Sequence, residues 1–340
     1  MPAKSLIRAA LAAAALAAIS APAPAQTLKA VKERGQLICG ISQGVLGFST
    51  PDDKGGASGF DADFCRAVAA AALGDPTKVK FVPLSAAERF TALKNGQIDL
   101  LSRNSTWTMS RETEFGLAFP AVLYVDGQGF LLPKSRNVTS ALELTGAKVC
   151  VQKGTTTADN LGDYFTANGM TFEAVTVSSP EESLAAYQAG KCNVMSSDIS
   201  QLYGERLKLP KPTEHMILPD VISKEPLAPV VRGGDGEWFA VVKWVVFALI
   251  NAEELGVTSR NTEEAASSQR PDVRRLVGAD GSFGEQIGLN KTWAASAIRA
   301  VGNYGEMFER NVGSQSKLGI PRGVNQNWLL GGILFAPPIR

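Results

Sequence analysis

Apolar and polar positions along the chain alternate in two periods. Gln36–Ile41 reads as a short buried strand, and Phe60–Leu73 has the spacing of a helix. Val79–Val82 reads as a strand, Ala86–Lys94 as a helix ended by Asn95-Gly96, and Ile98–Ser102 as a second buried strand. The rhythm restarts with strand Lys148–Gln152, helix Thr156–Asn168, strand Phe172–Val177, helix Pro180–Ala189 and strand Cys192–Ser196. Strands separated by helices of this length predict parallel sheets with helices on both faces. Two extended segments, Val122–Leu132 and Ala228–Arg232, connect the two series. The pattern therefore predicts an α/β protein of two lobes, hinged at two crossings, with its ligand cleft at the strand carboxyl ends. Lobe 1 is expected at 26–127 plus 232–277, lobe 2 at 128–231, and 278–340 as a C-terminal extension packed on lobe 1.

The first residues change the picture of where this happens. Lys4 and Arg8 precede the small-apolar run Ala9–Ile19, and Ala23-Pro24-Ala25 supplies a small-x-small cleavage pattern. A membrane anchor needs roughly 20 apolar residues, and this run is about half that. Residues 1–25 are expected to be a cleaved signal peptide, leaving 315 of the 340 residues exported and soluble. Its removal takes Lys4 and Arg8 from 34 basic residues, leaving 32 against 33 acidic ones. A near-neutral chain offers no electrostatic reason to expect nucleic acid or an anionic membrane as partner. Cys39, Cys65, Cys150 and Cys192 suit an oxidising compartment and allow three pairings. Cys39–Cys65 and Cys150–Cys192 are expected, because each pair falls within one lobe-like segment. No C-x-x-C occurs and His215 is the only histidine, so neither a metal nor any other cofactor is expected.

The densest chemistry lies in Ser102–Phe115, SRNSTWTMSRETEF, where a strand should hand over to a helix. Asn104, Thr106 and Arg111 are placed to converge on a small anion, since a guanidinium fork matches a carboxylate and neighbouring hydroxyls complete its acceptors. Gly40-Ile41-Ser42-Gln43-Gly44 matches the G-x-S-x-G elbow of hydrolases, with Asp198 and His215 following in the appropriate order. The elbow demands a helix after the serine, whereas Val45–Pro51 is punctuated by glycine and proline, so the match is set aside. Asn104-Ser105-Thr106 is formally a glycosylation sequon and reads as coincidence at a cleft-facing strand end.

Gly59-Phe60-Asp61-Ala62-Asp63, Asn95-Gly96-Gln97-Ile98-Asp99, Arg111 before Phe119-Pro120, and Gln152-Lys153-Gly154-Thr155-Thr156 resemble the polar amino-acid family of periplasmic solute-binding proteins. The general L-amino-acid-binding branch is closer still, through Ser223-Lys224-Glu225-Pro226, Val301–Glu306 and Leu318–Gly323. The resemblance implies a type II periplasmic-binding-protein clamshell with mixed sheets. It implies capture of L-amino acids for the permease subunits of an ABC importer, by a monomer with no membrane-inserted segment. By the same resemblance Arg111 grips the ligand α-carboxylate, helped by Asn104 and Thr106. Thr156, in the turn opening a helix of the other lobe, meets the same carboxylate, and Asp198 binds the α-ammonium. Bare chemistry leaves Asp198 a second role, capping the helix that starts at Ile199.

Ser42–Phe48 and Ala86–Phe90 are implied to line the side-chain pocket, with Ser42, Phe48 and Arg89 contacting the ligand. Relatives selective for cationic ligands carry an acid near Ser42 and an aromatic near Val45, and this chain has neither. A broad range that includes acidic and polar amino acids follows. The rival from another class is a periplasmic dehydratase or lyase on the same fold. It needs an acid or base facing the reacting carbon, and no candidate besides Asp198 is evident.

Overall fold

A computed structural model describes residues 26–340, so the expected leader peptide lies outside the described residues. The chain opens with α1 (Thr27–Arg34), β1 (Leu37–Ile41) and a small hairpin, β2 (Thr50–Pro51) and β3 (Ala57–Ser58). It continues through α2 (Phe60–Leu73), β4 (Val79–Pro83), α3 (Arg89–Lys94), β5 (Leu100–Thr106), α4 (Met109–Phe115), β6 (Leu117–Ala118) and β7 (Tyr124–Asp126). Beyond Gly127 the second series begins with β8 (Gln128–Pro133), β9 (Ala147–Gln152), α5 (Thr157–Ala167) and β10 (Phe172–Val177). It ends with α6 (Pro180–Gln188), β11 (Val194–Asp198), α7 (Ile199–Lys208) and β12 (His215–Ile217). The chain then returns to β13 (Glu225–Arg232), α8 (Gly236–Leu255), α9 (Thr262–Ala265), α10 (Pro271–Leu276), α11 (Trp293–Val301) and α12 (Tyr304–Asn311).

These strands form two sheets of one plan. The first runs β4-β1-β5-β13-β6 with β7 also on β13, and the second β10-β9-β11-β8-β12. In each, three parallel strands are followed by an antiparallel one, β13 or β8. Apolar clusters cover both faces of both sheets: Leu37, Phe60 and Trp238 against Phe90, Leu101 and Phe119 in lobe 1, and Phe130, Val149 and Phe165 against Leu131, Met195 and Leu202 in lobe 2. The two-lobed α/β clamshell is what the strand–helix alternation predicts.

Helix α2 shows how composition sets the packing. Asp61 and Asp63 in its first turn oppose the helix dipole, and Gly74 closes it in the left-handed conformation. Its alanines are buried and small, so α11 and α8 pack closely against it. Both expected disulfides are present, Cys39–Cys65 joining β1 to α2 and Cys150–Cys192 joining β9 to the turn before β11. The extension from Trp293 onward belongs to the same core as α2, through Ile298, Tyr304, Phe308 and Leu334.

The second crossing is not where the sequence pattern put it. Residues 225–231 were expected in lobe 2, but β13 pairs with β5, β6 and β7 in the lobe 1 sheet, so the chain crosses at 218–224. At the first crossing, Gly127 packs so tightly on the second that a Cβ there would lie 2.2 Å from Val221 Cγ1. The turn Gly323–Asn325 near the end of the chain also reaches this waist. Asn325 accepts from the Val125 N–H at 2.7 Å and donates to its carbonyl at 2.8 Å, clasping β7.

Candidate functional site

The site starts at the end of β5, which was expected to stop at Ser102 and continues to Thr106 between β1 and β13. A polar stretch survives at the centre of a sheet because its groups are satisfied locally. Ser102 Oγ and the Asn104 N–H both donate to the Asp61 carboxylate at 3.0 Å, and Ser105 Oγ donates to the Arg103 carbonyl. Burial outweighs these donors and pushes the Asp61 carboxyl up to about 6. Held this way, Asn104 takes a left-handed φ of 32°, which asparagine tolerates better than most residues. Its Oδ1 is buried without a partner, and its Nδ2 lies 3.5 Å from Asp198 Oδ2 of the other lobe.

Thr108 then caps α4 by accepting the Arg111 N–H at 3.3 Å, which fixes the arginine one turn into the helix. Arg111 is 8 % exposed, donates from Nη1 to the Thr106 carbonyl at 2.6 Å, and lies 5.1 Å from the Phe90 ring centre. Arg89 stacks on the same ring at 4.6 Å and donates across the cleft to the Gly154 carbonyl at 3.2 Å. Arg103, buried in β5, donates from Nε to the Leu84 carbonyl. These three arginines line one small cavity with Asn104, Thr106, Gln152, the Thr155–Thr157 turn, Ser197, Asp198 and Gln201. Among the described residues none of the three has a carboxylate within ion-pair distance. Burial lowers the proton affinity of all three guanidinium groups, Arg103 to about 10.

The lobes touch across this cavity, with Gly154 against the backbone of Ala86 and Ala87, so the cleft is closed. Asp198 enters from the N-terminus of α7 but does not cap it. That cap comes from Asp126 across the waist, which accepts from the Ser200 N–H at 3.3 Å and from its hydroxyl. Asp198 is left facing the cavity. Burial first, then the Asp126 and Glu225 carboxylates, hold its carboxyl well above the usual range, while Arg111 opposes them.

Two of the expected contacts are spoken for. Thr106 Oγ1 donates to Glu225 Oε2 at 2.5 Å and Thr156 Oγ1 donates to the same oxygen at 3.0 Å. Glu225 Oε1 accepts from Asn160 Nδ2 at 2.7 Å and Ser223 Oγ at 2.5 Å. Each threonine hydroxyl has one proton, so in this state neither donates to a ligand carboxylate; the oxygens remain as acceptors. Ser42 and Phe48 are not brought to the cavity. Ser42 is buried in a loop, bonded to Ser49 Oγ at 2.7 Å, and no helix follows it, which removes the nucleophile elbow. Phe48 packs edge-on against Phe60 and Tyr124 in the lobe 1 core. His215 is bonded to the Tyr187 hydroxyl.

Glu225, Asp126, Asn160 and Arg103 were not singled out as site residues in the sequence. Arg103 carried a signal, an arginine directly after the run Ile98–Ser102 that reads as a buried strand. Asp126 and Glu225 carried none, because their partners lie 74 and up to 119 residues away. Among the described residues no cluster suited to a metal occurs and no helix is long and apolar enough to cross a membrane.

Residues 37–260 match the bacterial extracellular solute-binding proteins, family 3. Over nearly its full length the chain is 52 % identical to the general L-amino acid-binding periplasmic protein AapJ of Rhizobium johnstonii, covering 98 % of this chain and 99 % of that one. It is also 52 % identical to the glutamate/glutamine/aspartate/asparagine-binding protein BztA of Rhodobacter capsulatus, covering 96 % and 97 %. A solved periplasmic binding protein of an ABC transporter from Brucella ovis, with glutathione bound, superimposes with a TM-score of 0.90 at 52 % identity, covering 92 % of this chain and 99 % of that one. Two sheets of one plan, closed on a cavity of unpaired arginines, thus accompany an extended sequence match, and the chain belongs to the bacterial extracellular solute-binding proteins, family 3.

Proposed function

We propose that the protein captures L-amino acids outside the cytoplasmic membrane and delivers them, unchanged, to the permease of an ABC importer. The observation that carries this reading is the cavity between the lobes, where buried guanidinium groups without ion partners face a single lining carboxylate, Asp198. An α-amino acid matches that polarity, with a carboxylate for Arg111 and an ammonium for Asp198. The turn Thr155–Thr157 opens α5 at the wall of the cavity, so the positive end of the helix dipole lies beside it, which suits the same carboxylate. Asn104 supplies the unpartnered Oδ1 as an acceptor for the ammonium, and Thr106 supplies its hydroxyl oxygen. The names of relatives 52 % identical to this chain support the same ligand class.

Closure follows from where these groups sit. Arg111 and Asn104 belong to lobe 1, Asp198 and the Thr155–Thr157 turn to lobe 2, so a ligand gains its second set of contacts only when the lobes meet. Export rests on the leader pattern, with cleavage near Ala25/Gln26, and the mature chain acts as a monomer. A thermal-shift screen across the common amino acids tests the reading. A ligand at ~100 times its Kd adds about 2.7 kcal/mol of stability. Free L-amino acids are expected to stabilise the protein and their α-carboxamides are not, with the ligand recovered chemically unchanged. Stabilisation by no amino acid, or recovery of a product, overturns it.

A further inference from the structure

Residues 320–340 play no part in holding the ligand as proposed above, yet they are built into lobe 1, with Ile320, Leu334 and Ala336 in its core. Their anchor is Arg322. Its guanidinium pairs with Glu253 of α8 at 3.0 Å, lies 4.9 Å from the Phe308 ring centre, and donates to the Asn325 carbonyl from Nε at 3.0 Å and from Nη2 at 2.9 Å. Asn325, 4 % exposed, is thereby fixed against β7. That strand pairs only with β13, where Val125 stands opposite Pro226, and the free edge would leave the Val125 N–H and carbonyl without partners. Asn325 answers both groups as a neighbouring strand would, accepting the N–H at 2.7 Å and donating to the carbonyl at 2.8 Å. Asp126 is the next residue, directly before the crossing at Gly127. Its carboxylate caps α7 of lobe 2 through the Ser200 N–H and hydroxyl, at the helix end from which Asp198 faces the cavity.

We propose that Asn325 is a positioning residue for ligand capture: by clasping Val125 it sets Asp126 to cap α7, and so steadies the closed arrangement of the lobes. A carboxylate beside a crossing keeps a partner in the other lobe only while the strand behind it is held in place. The tail supplies that support through the series Glu253, Arg322, Asn325, Val125, Asp126 and Ser200, which runs from α8 of lobe 1 to α7 of lobe 2. The proposal rests on the reading of closure given above. None of these residues touches a ligand side chain, so losing the clasp falls equally on every amino acid.

Amide hydrogen exchange on the ligand-free protein tests this without any ligand. In Asn325→Ala the Ser200 amide, on the far side of the hinge, is expected to exchange about five-fold or more faster than in wild type, the scale of one lost hydrogen bond. Calorimetric titrations with L-glutamate and with L-glutamine are expected to weaken by one common factor, about five- to ten-fold. Trp328→Phe is the control. It removes the Trp328 Nε1 bond to Glu254, a tail anchor that does not touch β7, and should leave Ser200 exchange and both affinities at wild-type values. Faster exchange confined to the tail in Asn325→Ala, with Ser200 unchanged, would mark a purely structural role and overturn the proposal. So would unchanged affinities, a loss on one ligand alone, or the same changes in Trp328→Phe. Should Asn325→Ala not fold, Asn325→Ser, with one hydroxyl for the two Val125 groups, takes its place with the same outcomes. Wild type binding no amino acid would end the reading of function, and exchange at Ser200 would then decide the role of Asn325 by itself.

Discussion

Two charged clusters of opposite sign lie side by side at the waist of the molecule, and they differ in one respect. At the hinge, Glu225 is buried and Asp126 half-buried, and the oxygens of both are filled by donors of the protein itself, drawn from both lobes. In the cavity, Arg89, Arg103 and Arg111 are buried cations whose side-chain hydrogen bonds within the protein go only to neutral carbonyls. A satisfied buried cluster holds a particular arrangement together. An unsatisfied one costs stability and waits for a partner of the right charge. On the function proposed above, the hinge acids belong to the architecture of the closed state and the arginines to its cargo.

Mutation should separate these roles. Arg111→Ala is expected to weaken amino-acid binding by two to four orders of magnitude, from the roughly 3–5 kcal/mol lost when a buried carboxylate is left without its charge partner. The ligand-free protein should melt no lower than wild type, because the change removes a buried cation that had no counter-ion. Calorimetry and a ligand-free melt on the same variant check both halves, and normal binding would remove Arg111 from the carboxylate site. Glu225→Gln should show the reverse emphasis. The amide keeps one acceptor oxygen and replaces the other with a nitrogen that cannot accept. One donor pair, Thr106 with Thr156 or Ser223 with Asn160, therefore loses its acceptor, and the ligand-free closed form loses about 2 kcal/mol, the order of one charge-assisted hydrogen bond. Denaturant unfolding without ligand measures this, and an unchanged midpoint would dissolve the contrast between hinge and cavity.

The smallest effect is that of pH. Asp198 binds an ammonium only when ionised, and its carboxyl is held above the usual range, with Asp126 pushed up to about 6 nearby. Affinity therefore falls as pH drops through the range in which the Asp198 carboxyl takes up its proton, approaching about ten-fold per unit below it. Titrations between pH 8 and pH 5 should show the slope, and Asp198→Asn should bind weakly and flatten it.

How far the sequence revealed this depended on the range of the interaction. Phe60–Leu73, Phe172–Val177 and both disulfides could be read from local spacing, since period and pairing within one lobe leave a local trace. Segment 225–231 could not. Pro226 and Pro229 make Glu225–Arg232 look like a linker, but the register of β13 shifts between Ala228 and Val230, and that irregularity accommodates Pro229 inside a sheet. At the site, Arg111 was legible because guanidinium and carboxylate match wherever they meet. The reassignment of Thr106 and Thr156 was not, because it depends on Glu225, which only the folded chain brings between them. Ser42 and Phe48 illustrate the converse: neighbours of the cleft in a resemblance, they were spent on a loop and on the core.

The discontinuity of lobe 1 sets the order in which the chain becomes a protein. Lobe 2 is one uninterrupted stretch, closing its sheet and its Cys150–Cys192 bridge from residues 128–217. Lobe 1 needs β13 to cover β5, then Trp293, Ile298, Tyr304 and Phe308 to complete the core beside α2. During vectorial delivery from the N-terminus, the lobe that is encoded first is therefore finished last. Until its distant strand and helices arrive, the edge of β5 and the apolar face of α2 stay uncovered, and that interval of long-range closure is the slow, aggregation-exposed part of folding. A chain truncated shortly after residue 217 would hold a complete second lobe and an incomplete first.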